Sequence, residues 1–156
     1  MPILADTKTR NIEEYNQKSK KPMPYIVIVT DEFSDMMVMD SDEMELLVIK
    51  LAQKALAIGI HLVVSTSRPS VDIITGLIKA NIPARIALTT ASKIDSRTII
   101  DMVGPEKLMG NGDLFYSDAH SVGLRRMQGA YISDAELVRV TDFLRAQATP
   151  QYNFEV

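Results

Sequence analysis

The sequence predicts an α/β domain with a mainly parallel sheet flanked by helices, and three observations lead to this prediction. Two runs of β-branched and other apolar residues, 25–29 and 60–66, are typical of strands buried on both faces. Apolar residues recur at helical spacing over 44–55, between these runs, so the segment has the order of a right-handed βαβ unit. With 156 residues and 46% hydrophobic content, the chain can bury the core of one ordinary domain.

Three segments divide the chain. Residues 1–24 are a polar, partly ordered lead-in, residues 25–148 form the core, and residues 149–156 are a C-terminal tail. The first strand of the core, 25–29, is expected to lie in the centre of the sheet. Asp40 and its neighbours supply helix N-cap chemistry, the helix ends at Gly59, and the second strand, 60–66, follows at once. Four methionines lie before and in this helix, and we interpret them as core filler or as a subunit contact: Met36, Met37, Met39 and Met44.

The alternation of elements continues through the second half of the core. A short helix follows Ser70, and Pro83 introduces a third strand over 85–89. Ser92 or Asp95 caps a helix across 97–102. Strands over 114–116 and 124–132 are expected near a sheet edge, and a capping box of Ser133 and Glu136 opens the last helix.

Composition excludes several classes of protein. The net charge of −3 excludes a basic coat over the whole surface, although a local basic strip remains compatible with it. The absence of cysteine excludes disulfides, zinc–thiolate sites and thiol catalysis, and suits a reducing compartment. No apolar run approaches the roughly 18–20 residues of a membrane span, so we expect a soluble chain.

Two adjacent carboxylates, Asp31 and Glu32, follow the first strand at its C-terminal end, the edge where open α/β sheets bind ligands. Successive residues point to opposite sides of a strand, so the two acids can have different roles. Asp31 can hold Mg²⁺ through water while Glu32 orients and deprotonates an attacking water, which is the Walker B arrangement of ATPases. A helix cap and a solvated turn would place the same two acids there, and the residues alone leave both interpretations open.

A Walker B acid pair works with a glycine-rich loop that ends in Gly-Lys-Ser/Thr and cradles the phosphates. None of the seven glycines is followed by lysine. The chain is therefore either unrelated to nucleotide binding or the second half of a nucleotide-binding motor.

Six segments of the chain resemble the motor domain of the FtsK/SpoIIIE family of double-stranded DNA translocases. They are 51–55, 59–62, 65–72, 73–87, 92–101 and 109–113. The resemblance runs from about Arg10 to Pro150. It implies a partial RecA-like P-loop ATPase core that begins downstream of the phosphate loop, and it implies ATP and Mg²⁺ as cofactors.

The same resemblance implies a biological setting. Members form a homo-oligomeric ring, expected to be a hexamer, around double-stranded DNA, and they pump it during chromosome segregation and cell division. Their membrane anchor, on the cytoplasmic side of the bacterial inner membrane, would lie in a part of the protein absent here.

Two positions depart from the family pattern. Members usually carry Gln at the position of Ser67, as a sensor of the γ-phosphate, so Ser67 joins Glu32 as a catalytic candidate. They usually carry Arg at the position of Leu56, where it resembles an arginine finger. Such a finger can be worth roughly 10³–10⁵ in rate, so hydrolysis would be slow unless Lys54 or Arg85 substitutes. Neutral drift at both positions is the alternative.

The charges divide the chain into an acidic and a basic stretch. Residues 31–49 carry seven acids and no base, whereas residues 68–97 carry five bases and two acids. By the resemblance, four of these bases contact DNA, and we name them the basic strip: Arg68, Lys79, Lys93 and Arg97. Phosphate contacts carry little sequence information, as a motor that runs over any sequence requires. The alternative is structural, with Arg97 paired to Asp95 or Asp101 and Lys79 a solvated helix end.

Three functions remain open. The leading hypothesis is a fragment of an ATP-dependent DNA translocase motor. The second is a degenerate or split motor half that assembles into a ring or binds DNA without catalysis, and the third is a small α/β enzyme that uses Asp31 and Glu32 with a metal. His61 is expected to be buried in its strand, and His120 lies in a loop without a companion ligand for a metal.

Overall fold

The computed structural model describes residues 2–119 and 123–152. His120 and the last four residues of the tail lie outside this part. The helices are α1 (Pro2–Asp6), α2 (Ile12–Lys18), α3 (Phe33–Met39), α4 (Ser41–Ala55), α5 (Gly76–Asn81), α6 (Lys93–Ile100) and α7 (Asp134–Gln147). The strands are β1 (Ile26–Thr30), β2 (Ile60–Val64), β3 (Arg85–Ala87), β4 (Asp113–Ser117) and β5 (Arg125–Gln128). None of the described helices is both long and apolar enough to span a bilayer.

The predicted βαβ unit is confirmed. β1 and β2 are parallel neighbours, with Ile26 opposite Ile60 and Thr30 opposite Val64. The Asp40 side chain caps α4 by accepting a hydrogen bond from the Glu43 N–H at 3.0 Å. Gly59 then turns the chain into β2 with a φ of +74°, and a Cβ there would lie 2.6 Å from the Cδ1 atom of Ile12. Glycine is required at this position on both counts.

A helix that the sequence analysis did not predict, α3, lies between β1 and α4. Phe33 and Met37 from α3 form a buried cluster with Ile78 of α5. Met36 and Met44 pack against this cluster, whereas Met39 is 87% exposed. The methionines are thus core filler at three positions and surface at the fourth.

The prediction that β1 is buried on both faces is wrong for the described residues. β1 pairs there with β2 alone, and Val27 and Val29 are 62% and 66% exposed. His61 lies opposite Val27 and is also exposed, with its ring centroid 5.9 Å from that of Tyr25, so its predicted burial is wrong too. The total accessible surface is 11926 Å², against about 7,800 Å² for an ordinary monomer of 17.3 kDa. An apolar sheet face is therefore left uncovered.

The lead-in is more ordered than its polar composition indicates. It contains two short helices, and Ile12 of α2 is only 2% exposed because it packs beneath Gly59. The Asn16 side chain both donates to the carbonyl of Met23 at 2.9 Å and accepts from its N–H at 2.8 Å. Ile12 thus anchors the segment beneath Gly59, and the Asn16 amide fixes its end just before β1.

A second sheet follows the βαβ unit, with β3, β4 and β5 antiparallel in that order. The predicted third strand is shorter than expected, and the helix expected over 97–102 begins at Lys93 because the Ser92 side chain caps it. The helix expected after Ser70 begins only at Gly76, with Thr75 as its N-cap. The capping box that opens α7 is confirmed.

Asp113 joins the turn over 109–113 to β5. Its carboxylate accepts hydrogen bonds from Arg126 Nε at 2.9 Å and Nη2 at 2.6 Å, and from the Met109 N–H at 2.9 Å. These bonds, first that from Arg126, lower the pKa of Asp113 to about 2. A depressed carboxyl pKa means that the ionised form stabilises the fold above the unfolded pKa of 3.8, and that this contribution is lost as the pH falls towards 2.

Asp113→Asn is therefore expected to lower the melting temperature at neutral pH and to flatten its decline between about pH 4 and pH 2. Melting curves over this range test the expectation. Asp72→Asn is the matched control, because Asp72 is exposed and has no hydrogen bond or ion pair among the described residues. Equal acid dependence in the Asp113 variant and the wild type would contradict the assignment.

Candidate functional site

The carboxyl ends of β1 and β2 are held together by Ser65. Its N–H donates to the carbonyl of Thr30 at 3.1 Å, and its one hydroxyl proton is shared between the carbonyl of Thr30, at 3.0 Å, and the carbonyl of Asp31. The Phe33 N–H donates in return to the carbonyl of Ser65 at 2.8 Å. These bonds place Asp31 and Glu32 directly beside the segment 65–68.

The Glu32 carboxylate accepts several hydrogen bonds. Ser34 Oγ donates to it at 2.6 Å, Thr66 Oγ1 donates to the same oxygen, and Ser67 donates to the other through its N–H at 3.0 Å and Oγ at 2.5 Å. These bonds, first that from Ser34 and then that from Ser67, hold the pKa of Glu32 far below its ordinary range. Glu32 is ionised at neutral pH and is a weak proton acceptor while they remain intact.

The two catalytic candidates, Glu32 and Ser67, are thus in direct contact. Ser34 and Thr66, which bond the same carboxylate, were missed by the sequence analysis. A signal for Thr66 and Ser67 exists in the three consecutive hydroxyl residues 65–67, which follow a strand parallel to the one that carries the acids. Parallel neighbours end at the same sheet edge, so hydroxyls and carboxylates meet there.

Asp31 has a different environment from Glu32. It is exposed, and no described residue donates a hydrogen bond to its carboxylate. Free carboxylate oxygens fit the predicted role of holding Mg²⁺ through water, because proteins bind this ion with one or two carboxylates plus waters and phosphates. No described group of three His, Cys, Asp or Glu converges on a metal site. When bound, the ion would neutralise phosphate charge.

Leu56, where the resemblance implies an arginine finger, lies on the surface. Leu56 is 78% exposed in the 3₁₀ turn Leu56–Ile58 that follows α4. Of the two bases considered as substitutes, Lys54 is exposed, whereas Arg85 is 22% exposed and bonds Asp101 through Nη1. The Arg85 guanidinium is thus already paired with a carboxylate of this chain.

Three members of the basic strip are exposed and form no ion pair with a described residue. Arg68 lies in the loop after β2, and Lys93 and Arg97 lie one turn apart on α6. The predicted alternative that Arg97 pairs with Asp95 or Asp101 does not hold for this structure. These three cations are available to phosphate groups.

Lys79 differs from the other three. Its Nζ atom lies 2.6 Å from Asp101 Oδ1, its side chain is 20% exposed, and Arg85 Nη2 donates to its carbonyl at 3.4 Å. Lys79 is therefore part of an ion-pair cluster that joins α5, β3 and the end of α6, not a solvated helix end. Asp101 adopts a φ of +60° at the C-terminus of α6, where both the left-handed backbone and a negative charge are unfavourable, and the two cations offset this cost.

Comparison with known sequences identifies relatives over nearly the whole chain. The sequence model of the FtsK/SpoIIIE family matches residues 7–71. The DNA translocase FtsK of Pasteurella multocida is 48% identical, with 96% of this chain and 19% of the relative covered. The DNA translocase FtsK of Haemophilus influenzae is 46% identical, with 96% of this chain and 34% of the relative covered. The DNA translocase SftA of Bacillus subtilis is 46% identical, with 98% of this chain and 17% of the relative covered. The chain spans between about a sixth and a third of the length of these relatives.

Solved structures share the fold. The conjugation coupling protein TcpA of pCW3, in its monomer form with ATPγS, matches with a TM-score of 0.79 at 25% identity, covering 94% of this chain and 44% of that one. The type VII secretion ATPase EccC of Thermomonospora curvata matches with a TM-score of 0.71 at 22% identity, covering 85% and 16%. The predicted fold class, part of a P-loop ATPase core, is confirmed.

The ion-pair cluster predicts unequal effects of removing the strip residues. Lys79→Ala is expected to lower the free energy of unfolding by about 1–2 kcal/mol, between the values typical of exposed and buried pairs. Lys93→Ala should change it by less than about 0.5 kcal/mol, because Lys93 is exposed and unpaired among the described residues. Urea unfolding of both variants measures the difference. Equal stability would argue against the role given to Lys79.

Proposed function

Because this chain belongs to the FtsK/SpoIIIE family, we propose that it is the Walker B part of an ATP-dependent motor that moves double-stranded DNA in chromosome segregation and cell division. The observation that carries the proposal is the position of the acid pair. Asp31 and Glu32 lie at one sheet edge, and Glu32 bonds Thr66 and Ser67, directly before the exposed base Arg68. A nucleotide site and a DNA contact would then share one short loop.

The two acids have separate roles in this proposal. Asp31, whose carboxylate is free of hydrogen bonds from described residues, holds Mg²⁺ through water. Glu32 orients the water that attacks the γ-phosphate, and Ser67 positions Glu32. Since no Gly-Lys-Ser/Thr sequence is present in these 156 residues, the phosphates of ATP are cradled by residues from outside them.

The uncovered face of the β1–β2 sheet supports assembly with a further part of the protein. Val27, Val29 and Val63 leave an apolar surface open, and the relatives are three to six times as long as this chain. We propose that the complete protein forms a homo-oligomeric ring, a hexamer by family resemblance, around DNA. We further propose, by family resemblance, that another part of the complete protein anchors it to the cytoplasmic side of the inner membrane.

A second candidate is a split or degenerate motor half that assembles into the ring or binds DNA without hydrolysing ATP. The observations that favour it are Ser67 and Leu56 at the positions where the resemblance implies Gln and Arg. Ser67 is a short side chain whose hydroxyl already bonds Glu32, and Leu56 offers no charge to a neighbouring subunit.

The DNA-contact role is tested by the salt dependence of duplex binding. Neutralising Arg68, Lys93 or Arg97 singly is expected to weaken binding equally for unrelated sequences and to reduce the log–log salt slope by about 0.9, since each lost phosphate contact releases fewer counterions. Lys79→Ala serves as the comparison, because its charge is paired with Asp101. Unchanged slopes in all three exposed variants would remove the DNA-channel assignment.

ATP turnover in the ring that contains this chain separates the two candidates. For a working motor, Glu32→Gln should lower kcat by at least about 100-fold while ATP still binds, and Asp31→Ala should instead weaken Mg²⁺–ATP binding. For the non-catalytic module, the wild type does not hydrolyse ATP, and turnover requires Ser67→Gln with Leu56→Arg. Equal loss of ATP binding in both acid variants would show that the two roles are misassigned.

A further inference from the structure

The hydroxyl group of Thr66 makes two hydrogen bonds in different directions. It donates to the Glu32 carboxylate and accepts from the Arg68 N–H at 3.0 Å. A threonine hydroxyl has one donor and two acceptor positions, so both bonds can be made at once. Among the described residues, Thr66 Oγ1 is the only side-chain atom bonded to both Glu32 and Arg68.

Neighbouring bonds fix the remainder of this loop. Ser67 donates to Glu32 through its N–H and its hydroxyl. The carbonyl of Arg68 accepts from the Ser70 N–H at 2.8 Å, and Pro69 restricts the backbone between them. Both backbone polar groups of Arg68 are therefore bonded within the loop, while its guanidinium is exposed.

We propose that Thr66 is a positioning residue that ties the backbone of Arg68 to the Glu32 carboxylate, so that the DNA-binding loop and the hydrolytic carboxylate move together. This inference rests on the proposed function. Movement of the Glu32 carboxylate breaks its hydrogen bond with Thr66 Oγ1 and releases the backbone of Arg68. Movement of Arg68 on contact with a phosphate acts on Glu32 through the same two hydrogen bonds of Thr66. Ser34 also donates to Glu32 but makes no bond to Arg68, and it is the matched comparison.

Electrostatics alone and the proposed tie from Arg68 through Thr66 to Glu32 predict opposite effects of Glu32→Ala on DNA affinity. Glu32→Ala changes the net charge from −3 to −2, which by electrostatics alone tightens binding to the DNA polyanion. The tie predicts weaker binding, because the loop that presents Arg68 loses its anchor. Asp31→Ala makes the same change in charge without touching the loop side chains, and it should leave DNA binding equal or tighter.

The experiment uses the 156-residue chain without nucleotide, a fluorescent 30-base-pair duplex at low salt, and amide hydrogen exchange at Arg68. Thr66→Val keeps the shape and removes the hydroxyl. We expect faster exchange of the Arg68 amide and DNA binding weaker by about two- to fivefold, the range of one exposed ion pair. Thr66→Ser should restore both values, and Ser34→Ala should leave both unchanged. Combining Thr66→Val with Arg68→Ala should weaken binding no more than Arg68→Ala alone.

Two results would overturn the tie. One is the same Arg68 exchange rate in Thr66→Val as in Ser34→Ala, and the other is tighter DNA binding by Glu32→Ala. If the wild-type chain binds no duplex at any salt concentration, the DNA-binding part of the proposed function fails, and amide exchange at Arg68 still decides whether Thr66 holds the loop. If Thr66→Val does not fold, the exchange rate in Glu32→Ala makes the same decision.

Discussion

The junction between the carboxyl ends of β1 and β2 determines the rest of the site. Parallel pairing in register places Thr30 opposite Val64, and Ser65 then bonds the carbonyls of Thr30 and Asp31. This one junction sets the separation between the acid pair and the loop over 65–68. A shift of the strands by one residue would turn every β1 side chain to the other face and carry Glu32 away from Thr66 and Ser67.

Two acids that are adjacent in sequence have opposite surroundings because of this junction. No described residue donates a hydrogen bond to the exposed Asp31 carboxylate, whereas hydroxyls and an amide surround the Glu32 carboxylate and favour its ionised form. The basic side chains show a similar division. Lys79 and Arg85 are occupied by Asp101, while Arg68, Lys93 and Arg97 remain exposed. Burial and pairing, rather than residue type, separate structural charges from those available to ligands.

Features that neighbouring residues determine were predictable from the sequence, whereas contacts between side chains far apart in the chain were not. Gly59 and the capping box of Ser133 act within a few residues, and both are where the sequence places them. The bond from Thr66 to Glu32 spans 34 positions and that from Lys79 to Asp101 spans 22. The hydroxyl run 65–67 indicates the sheet edge at which Thr66 lies, but no local pattern identifies the partner of either side chain. The predicted burial of β1 failed because an apolar run shows that a strand needs covering and does not show where the covering surface comes from. The acid pair itself was predictable, since it follows directly from the end of an apolar strand.

The open face of the β1–β2 sheet also has a consequence for how the protein is maintained in a cell. A strand edge and an apolar patch left in water are features that chaperones and proteases recognise, and they favour self-association as concentration rises. Binding to any surface that covers Val27, Val29 and Val63 draws the equilibrium towards the folded chain. A chain whose β1–β2 face is covered is therefore expected to persist longer in the cell than one whose face is open.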